Sequence, residues 1–259
     1  MKRIVYSIYT DNLNPHTSAT DFKKSQFKKY KHKLEESQKQ YAKFCKADYF
    51  LHKTSTINYN DVQFEKILLL EKYAENYDEI LYLDFDVVPI TKVNYFEFHN
   101  MNKLTCHRLN RKPKDNELKK ILQRGKREHQ QSVYVKTCSK NAMLLLDNII
   151  GNDYLINTGV VGCNKEIAYK INFSNKKNIL HNILEEAIID NLYPEEISNW
   201  FFHNNEVYLS YIIEKYDIPF MDIGMAWNFI LDGYCKKPTA AAHLLHHVNK
   251  EFEISFGKI

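Results

Sequence analysis

In the stretch Ile80-Leu81-Tyr82-Leu83-Asp84-Phe85-Asp86-Val87-Val88-Pro89-Ile90, an apolar run ends by delivering two carboxylates in i, i+2 register. Two hard oxygen ligands so placed can hold Mg²⁺ or Mn²⁺, and such a cation neutralises a diphosphate. The plain alternative is a strand end with two solvated Asp, and for an Asp-x-Asp alone that is the commoner case. Apolar residues on both sides, with Pro89 just beyond, argue against it here. Far along the chain, His243, His246 and His247 share one short stretch that reads as a strand. Strand alternation puts His243 and His247 on one face and His246 on the other.

Carboxylates at a strand end need a sheet to hold them. Residues 3–9 form a β-branched and aromatic run, and 21–46 carry apolar positions at mostly helical spacing with a basic outer face. A short apolar strand over 47–52, a helix over 62–77 and the strand 79–83 complete a β-α-β-α-β opening. That order predicts an α/β fold whose central sheet is mainly parallel and Rossmann-like, with helices on both faces. The carboxyl ends of such strands open onto the ligand crevice, where Asp84 and Asp86 would stand. Further on, 139–149, 178–191 and 205–216 read as helices, and 154–163, 218–223 and 243–248 as strands. The polar, basic stretch 107–132 reads as a mobile insertion or short helix. No repeat or Pro/Gly/Ser-rich linker interrupts the chain, so 1–259 reads as a single domain.

With 44% hydrophobic residues in 259, the chain can bury a core, which excludes wholesale disorder. The net charge of +4 is unevenly spread: windows 21–46 and 103–128 hold +6 and +7, leaving −9 elsewhere. The acidic remainder is the better home for a cation. The basic windows lack the aromatic interleaving of a nucleic-acid module, so no nucleic-acid partner is expected. Five scattered Cys without a CxxC spacing imply reduced thiols and a cytoplasmic setting. No run is long and apolar enough for a membrane span, which leaves only peripheral membrane contact open.

Two enzyme classes place an Asp-x-Asp at a strand end. Aspartyl-phosphate phosphohydrolases carry it on the first strand and need a later acidic pair, for which Asp153 and Asp222 are poor candidates. The other class is the GT-A nucleotide-sugar glycosyltransferases. Phe64-Glu65-Lys66-Ile67, eighteen positions before Asp84, resembles the helix that presents a donor-binding Lys in glycogenin-like enzymes. Leu155-Ile156-Asn157-Thr158-Gly159-Val160 is similar to their Asn-Ser-Gly segment, and Asn205-Glu206 to an acidic pair opening a helix. Trp227-Asn228 resembles the aromatic-Asn pair before the last strand. Leu244-Leu245-His246, with Lys250 four residues on, resembles the closing metal-ligand His and phosphate-contacting Lys. These elements run in family order over nearly the whole chain. Two departures, the acid on the second position at 205–206 and a closing segment without Gly or Pro-Trp, leave sugar identity and stereochemistry open.

The resemblance implies a GT-A-like domain in which 1–100 is the nucleotide-binding half and 101–259 the acceptor half with the closing metal-ligand strand. It implies Mn²⁺ or Mg²⁺ held by Asp84, Asp86 and His246, and a nucleotide-sugar donor, read as UDP-linked. Asp84 would also approach the ribose, and Lys250 the diphosphate. Tyr9 and Thr10 would lie beside uracil and ribose, and Lys66 and Asn157 would hold the donor sugar. Glu206, with Asn157, would act near the reacting carbon, as a base if the enzyme inverts or a charge stabiliser if it retains. The implied acceptor is a carbohydrate or glycosylated hydroxyl, in glycan or polysaccharide synthesis. A DxD phosphohydrolase and a non-catalytic polyanion-binding protein are the alternatives. Each residue also has a bland reading: Lys66 as a surface Lys, Tyr9 as core, Glu206 as a favourable helix N-terminal charge.

Overall fold

The computed structural model describes residues 1–10, 18–54, 59–109, 133–189, 204–231, 238–247 and 252–256. The chain divides into two compact units. The first comprises Met1–His107, Thr158–Lys170 and Pro219–Ile259, and the second Arg108–Asn157 and Ile171–Ile218.

The first unit is built on β1 (Arg3–Tyr9), whose residues are buried from Ile4 onward on both faces, as a central parallel strand requires. Helix α1 (Ser18–Phe44) leads to β2 (Asp48–Lys53), and α2 (Tyr59–Ala74) to β3 (Glu79–Leu83), which is buried throughout. Both β2 and β3 pair with β1 in parallel, with Tyr6 opposite Tyr82 in the second pairing. The β-α-β-α-β opening read from the pattern is therefore present, with ends shifted by a few residues. Strand β6 (Leu155–Asn164) follows β3 in the sheet and is antiparallel to it, Leu83 facing Val160. Strand β5 (Leu104–Leu109) pairs in parallel with β7 (Phe220–Asp222), and the sheet order is β2-β1-β3-β6-β5-β7. The sheet is mainly parallel, as expected, but β6 reverses. A strand buried on both faces is a continuous apolar run in either direction, so its sense is not written in its pattern.

A second, three-stranded sheet was not anticipated. It joins β4 (Val87–Pro89), β8 (Phe229–Ile230) and β9 (Leu244–His246), with β9 central. β4 is antiparallel to β9, Val87 opposite His246, and β8 is parallel to it. The sheet's central strand β9 falls in the stretch 243–248 read as a strand, whereas β4 and β8 are too short for a periodicity to declare them. The four-residue helix α3 (Tyr95–Phe98) also went unread; Asn94 caps it by accepting from the Phe96 amide. A core of Val5, Tyr41, Leu81, Leu83, Tyr95, Trp227 and Leu244 joins the two sheets.

In the second unit, α4 (Val133–Leu146), α6 (Phe173–Ile189) and α7 (Asn205–Lys215) are the helices, with α7 packed against the other two. The short helix α5 (Lys165–Ile171) precedes α6 in the chain, and α8 (Glu253–Phe256) comes last. The basic stretch read over 107–132 lies outside the described residues beyond position 109. Cys45, Cys106, Cys138 and Cys163 are free thiols, and burial pushes Cys163 up to about 12. Among the described residues no helix is long and apolar enough to cross a membrane.

Candidate metal centre

β3 ends at Leu83, and Asp84-Phe85-Asp86 makes the turn into β4, closed by the Val87 amide donating to the Asp84 carbonyl at 2.8 Å. The turn backbone is held from below. Gln38 of α1, fully buried, donates its amide to the carbonyls of Asp84 and Val87 at 3.0 and 2.8 Å. Ser7 of β1 donates to the Leu83 carbonyl at 2.6 Å, and the Asp84 amide donates to the Gly159 carbonyl at 2.8 Å. Phe85, between the two acids, is buried against Tyr9 with ring centroids 4.9 Å apart. The middle residue thus anchors the turn in the core while its neighbours face the other way.

The antiparallel pairing of β4 with β9 brings His246 to this turn across 160 residues of chain. Its Nε2 lies 3.5 Å from Asp84 Oδ2 and 3.4 Å from Asp86 Oδ1. One ligand atom from each of the three residues falls within 4.8 Å of the others. The other ring nitrogen, Nδ1, is 3.0 Å from Asn228 Oδ1. An amide oxygen accepts, so Nδ1 donates to Asn228, which leaves Nε2, facing the two carboxylates, as the nitrogen a cation would use. Two carboxylates and an imidazole, with no thiolate, suit a hard or borderline cation such as Mg²⁺ or Mn²⁺. The residues present therefore fit the group.

The neighbouring histidines have other engagements. The Nδ1 of His243 is 3.0 Å from the Thr91 hydroxyl, and its ring stacks on Trp227 at 4.3 Å. His247 is fully buried and its Nε2 is 2.5 Å from the Ser255 hydroxyl. Of the three candidates, the structure brings only His246 into the acidic group.

Lys66 is buried and reaches that group too: its Nζ donates to Asp84 Oδ1 at 3.2 Å. Tyr82 donates to the same oxygen at 2.5 Å. Burial, and then the Asp84 charge, pushes the Tyr82 phenol well above its usual range, so the hydroxyl keeps its proton. Tyr9 and Thr10 close β1 and are both buried, with Lys31 Nζ 3.8 Å from the Tyr9 ring centroid.

A second polar group lies within the second unit. Asn157 donates its amide to Glu206 Oε1 at 3.0 Å, and Lys136 of α4 donates to Glu206 Oε2 at 2.5 Å. The Glu206 amide donates to the Asn204 side chain at 2.9 Å, which caps α7. Asn157 and Glu206 thus come together as a pair. Lys136 was not singled out from the sequence, because nothing in α4 marks one Lys among its neighbours. Lys250, read as a phosphate contact, lies outside the described residues. Gln38, Tyr82 and Asn228 were also missed in these roles; Asn228 alone carried a signal, its place beside Trp227.

No protein-family profile matches the chain, and no curated protein matches its sequence. Solved structures resemble it distantly. A glycosyltransferase involved in glycosylation of the major capsid of PBCV-1 is 12% identical, with TM-score 0.47, over 96% of this chain and 94% of that one. The galactosyltransferase LgtC, solved with donor and acceptor sugar analogs, is 11% identical with TM-score 0.47, over 95% and 86% of the two chains. Mouse xyloside xylosyltransferase 1 is 10% identical with TM-score 0.41, over 95% and 98%.

Proposed function

We propose that the chain is a metal-dependent glycosyltransferase of GT-A type that moves a sugar from a UDP-linked donor to an acceptor hydroxyl. The acceptor is a carbohydrate or glycosylated molecule, and the setting is cytoplasmic glycan or polysaccharide synthesis. The observation that carries this is the convergence of Asp84, Asp86 and His246 at the carboxyl end of β3, with His246 oriented by its Nδ1 contact to Asn228. A cation held there would supply Lewis-acid neutralisation of the departing nucleoside diphosphate.

The chain's own residues do the positioning. Asp86 and His246 bind the cation, and Asp84 shares in this while lying near the ribose. Tyr9 and Thr10, at the end of β1, take the uracil side, Lys66 the donor sugar and Lys250 the diphosphate. In the second unit Asn157 takes a sugar hydroxyl, and Glu206 is the acid that acts at the reacting carbon. The two donors already on Glu206, from Lys136 and Asn157, make it a fixed negative charge more than a base with idle lone pairs. That arrangement favours stabilisation of positive charge on the sugar.

The test is a panel of nucleotide-sugars, with and without Mn²⁺, read by thermal shift and donor hydrolysis. Expected is stabilisation and hydrolysis with one donor class, abolished by EDTA and restored by Mn²⁺. Full activity in chelator sinks the metal assignment. Phosphate release without any nucleotide-sugar would point to a phosphohydrolase, and salt-sensitive polyanion capture indifferent to Asp86→Ala to a binding protein.

A further inference from the structure

Tyr82 stands on β3 two residues before Asp84, which begins the turn, and its hydroxyl reaches that acid rather than the core alone. Tyr82 is 3% exposed, and its hydroxyl donates to Asp84 Oδ1 at 2.5 Å. Lys66, equally buried, donates to that same oxygen at 3.2 Å. Lys66 is itself fixed, because the Tyr6 hydroxyl donates to its carbonyl at 2.5 Å and the Tyr6 and Tyr82 rings lie 5.1 Å apart. Two donors thus saturate Oδ1 from within the protein. The other oxygen, Oδ2, is turned toward His246 Nε2 at 3.5 Å.

We propose that Tyr82 is a positioning residue for the cation site: with Lys66 it holds Asp84 so that the acid offers a cation one oxygen and never two. This rests on the metal-site reading above. Its consequence is selectivity. Ca²⁺ takes six to eight oxygens and welcomes bidentate carboxylates, whereas Mg²⁺ and Mn²⁺ fit single-oxygen ligands around a small ion. A carboxylate with one oxygen withheld therefore tilts the site toward the smaller cations.

The test is Mn²⁺ binding, followed by EPR of free Mn²⁺, and Ca²⁺ binding by competition, each with and without UDP. The proteins are the wild type, Tyr82→Phe, Asp84→Ala and the double variant, with melting temperatures as the check on folding. Removing a partner that orients a metal ligand typically costs about 10–100-fold in affinity, so Tyr82→Phe should weaken Mn²⁺ about tenfold. It should also narrow the Mn²⁺/Ca²⁺ preference, a change that general loosening would not produce. In the Asp84→Ala background the same substitution should change nothing, because its effect runs through Asp84. Unchanged affinity and preference in Tyr82→Phe overturns the proposal, as does an equal loss in the Asp84→Ala background. Should Tyr82→Phe fail to fold, Lys66→Met is scored for the Mn²⁺/Ca²⁺ preference instead, and an unaltered preference overturns the proposal. A wild type that binds neither ion, with or without UDP, overturns the underlying metal reading and this inference with it.

Discussion

His99, just after α3, makes the stability of the first unit depend on mildly acid pH. It is 5% exposed, and among the described residues neither ring nitrogen has a hydrogen-bond partner. Its ring lies 4.3 Å from Tyr95, 4.8 Å from Trp227 and 5.0 Å from Phe98. Burial, reinforced by the nearby His243, pushes it down from 6.5 to about 4. The unfolded chain therefore takes up a proton at this position between those two values while the native state does not. The stabilisation is fully present above pH 6.5 and is lost as pH falls to about 4. At about 1.4 kcal/mol per pH unit, the whole window is worth about 3 kcal/mol. Urea unfolding at a series of pH values between 7 and 4 checks this, with Trp227 beside the ring as a fluorescence reporter. Carboxylates titrate in both proteins, so the difference between wild type and His99→Leu isolates His99. The variant should show a pH dependence shallower by about 3 kcal/mol over the window. At pH 7 it should be no less stable, because a buried ring with two unmade hydrogen bonds costs about 1–3 kcal/mol. Parallel pH profiles for the two proteins would refute the reasoning.

Asp86→Ala and Asp84→Ala should both fold, with Asp84→Ala the less stable because it takes the carboxylate from the buried Lys66 and Tyr82. Calorimetry should show metal-dependent UDP binding lost more completely in Asp86→Ala, and unchanged binding there removes it as a ligand. His246→Ala should lose the cation, whereas His247→Ala should bind it normally and lose about 1–2 kcal/mol of stability with the Ser255 hydrogen bond. The reverse pattern in binding isotherms would place the ligand on the wrong histidine. Glu206→Gln should bind UDP and cation like the wild type while kcat falls. A drop of about 10²–10⁴-fold would mark a base after all, and wild-type kcat would leave Glu206 a helix N-terminal charge.

Sequence alone determined the parts whose physics is local. A buried parallel strand must be apolar along its length, so 3–9 and 79–83 announced themselves, and two acids closing such a strand were conspicuous. Helices with a wide apolar face, such as α2 and α7, were legible for the same reason, though their ends were not. Selecting one histidine from 243, 246 and 247 needed more. Alternation separated the faces, and the family resemblance favoured His246. Only the pairing of Val87 with His246 placed that face beside Asp84 and Asp86.

The tertiary structure decided everything that depends on partners distant in the chain. Gln38 holds the turn through two backbone carbonyls, and a carbonyl leaves no trace in residue identity. Tyr82 read as one more buried aromatic, because its role rests on a single hydroxyl reaching Asp84. Lys136 and Glu206 are 70 positions apart, and Asn228 and His246 eighteen. Such pairs form because burying a charge or an imidazole costs free energy until a partner satisfies it. Composition can show that a chain will face that cost; only the folded backbone settles which side chains stand close enough to offset it.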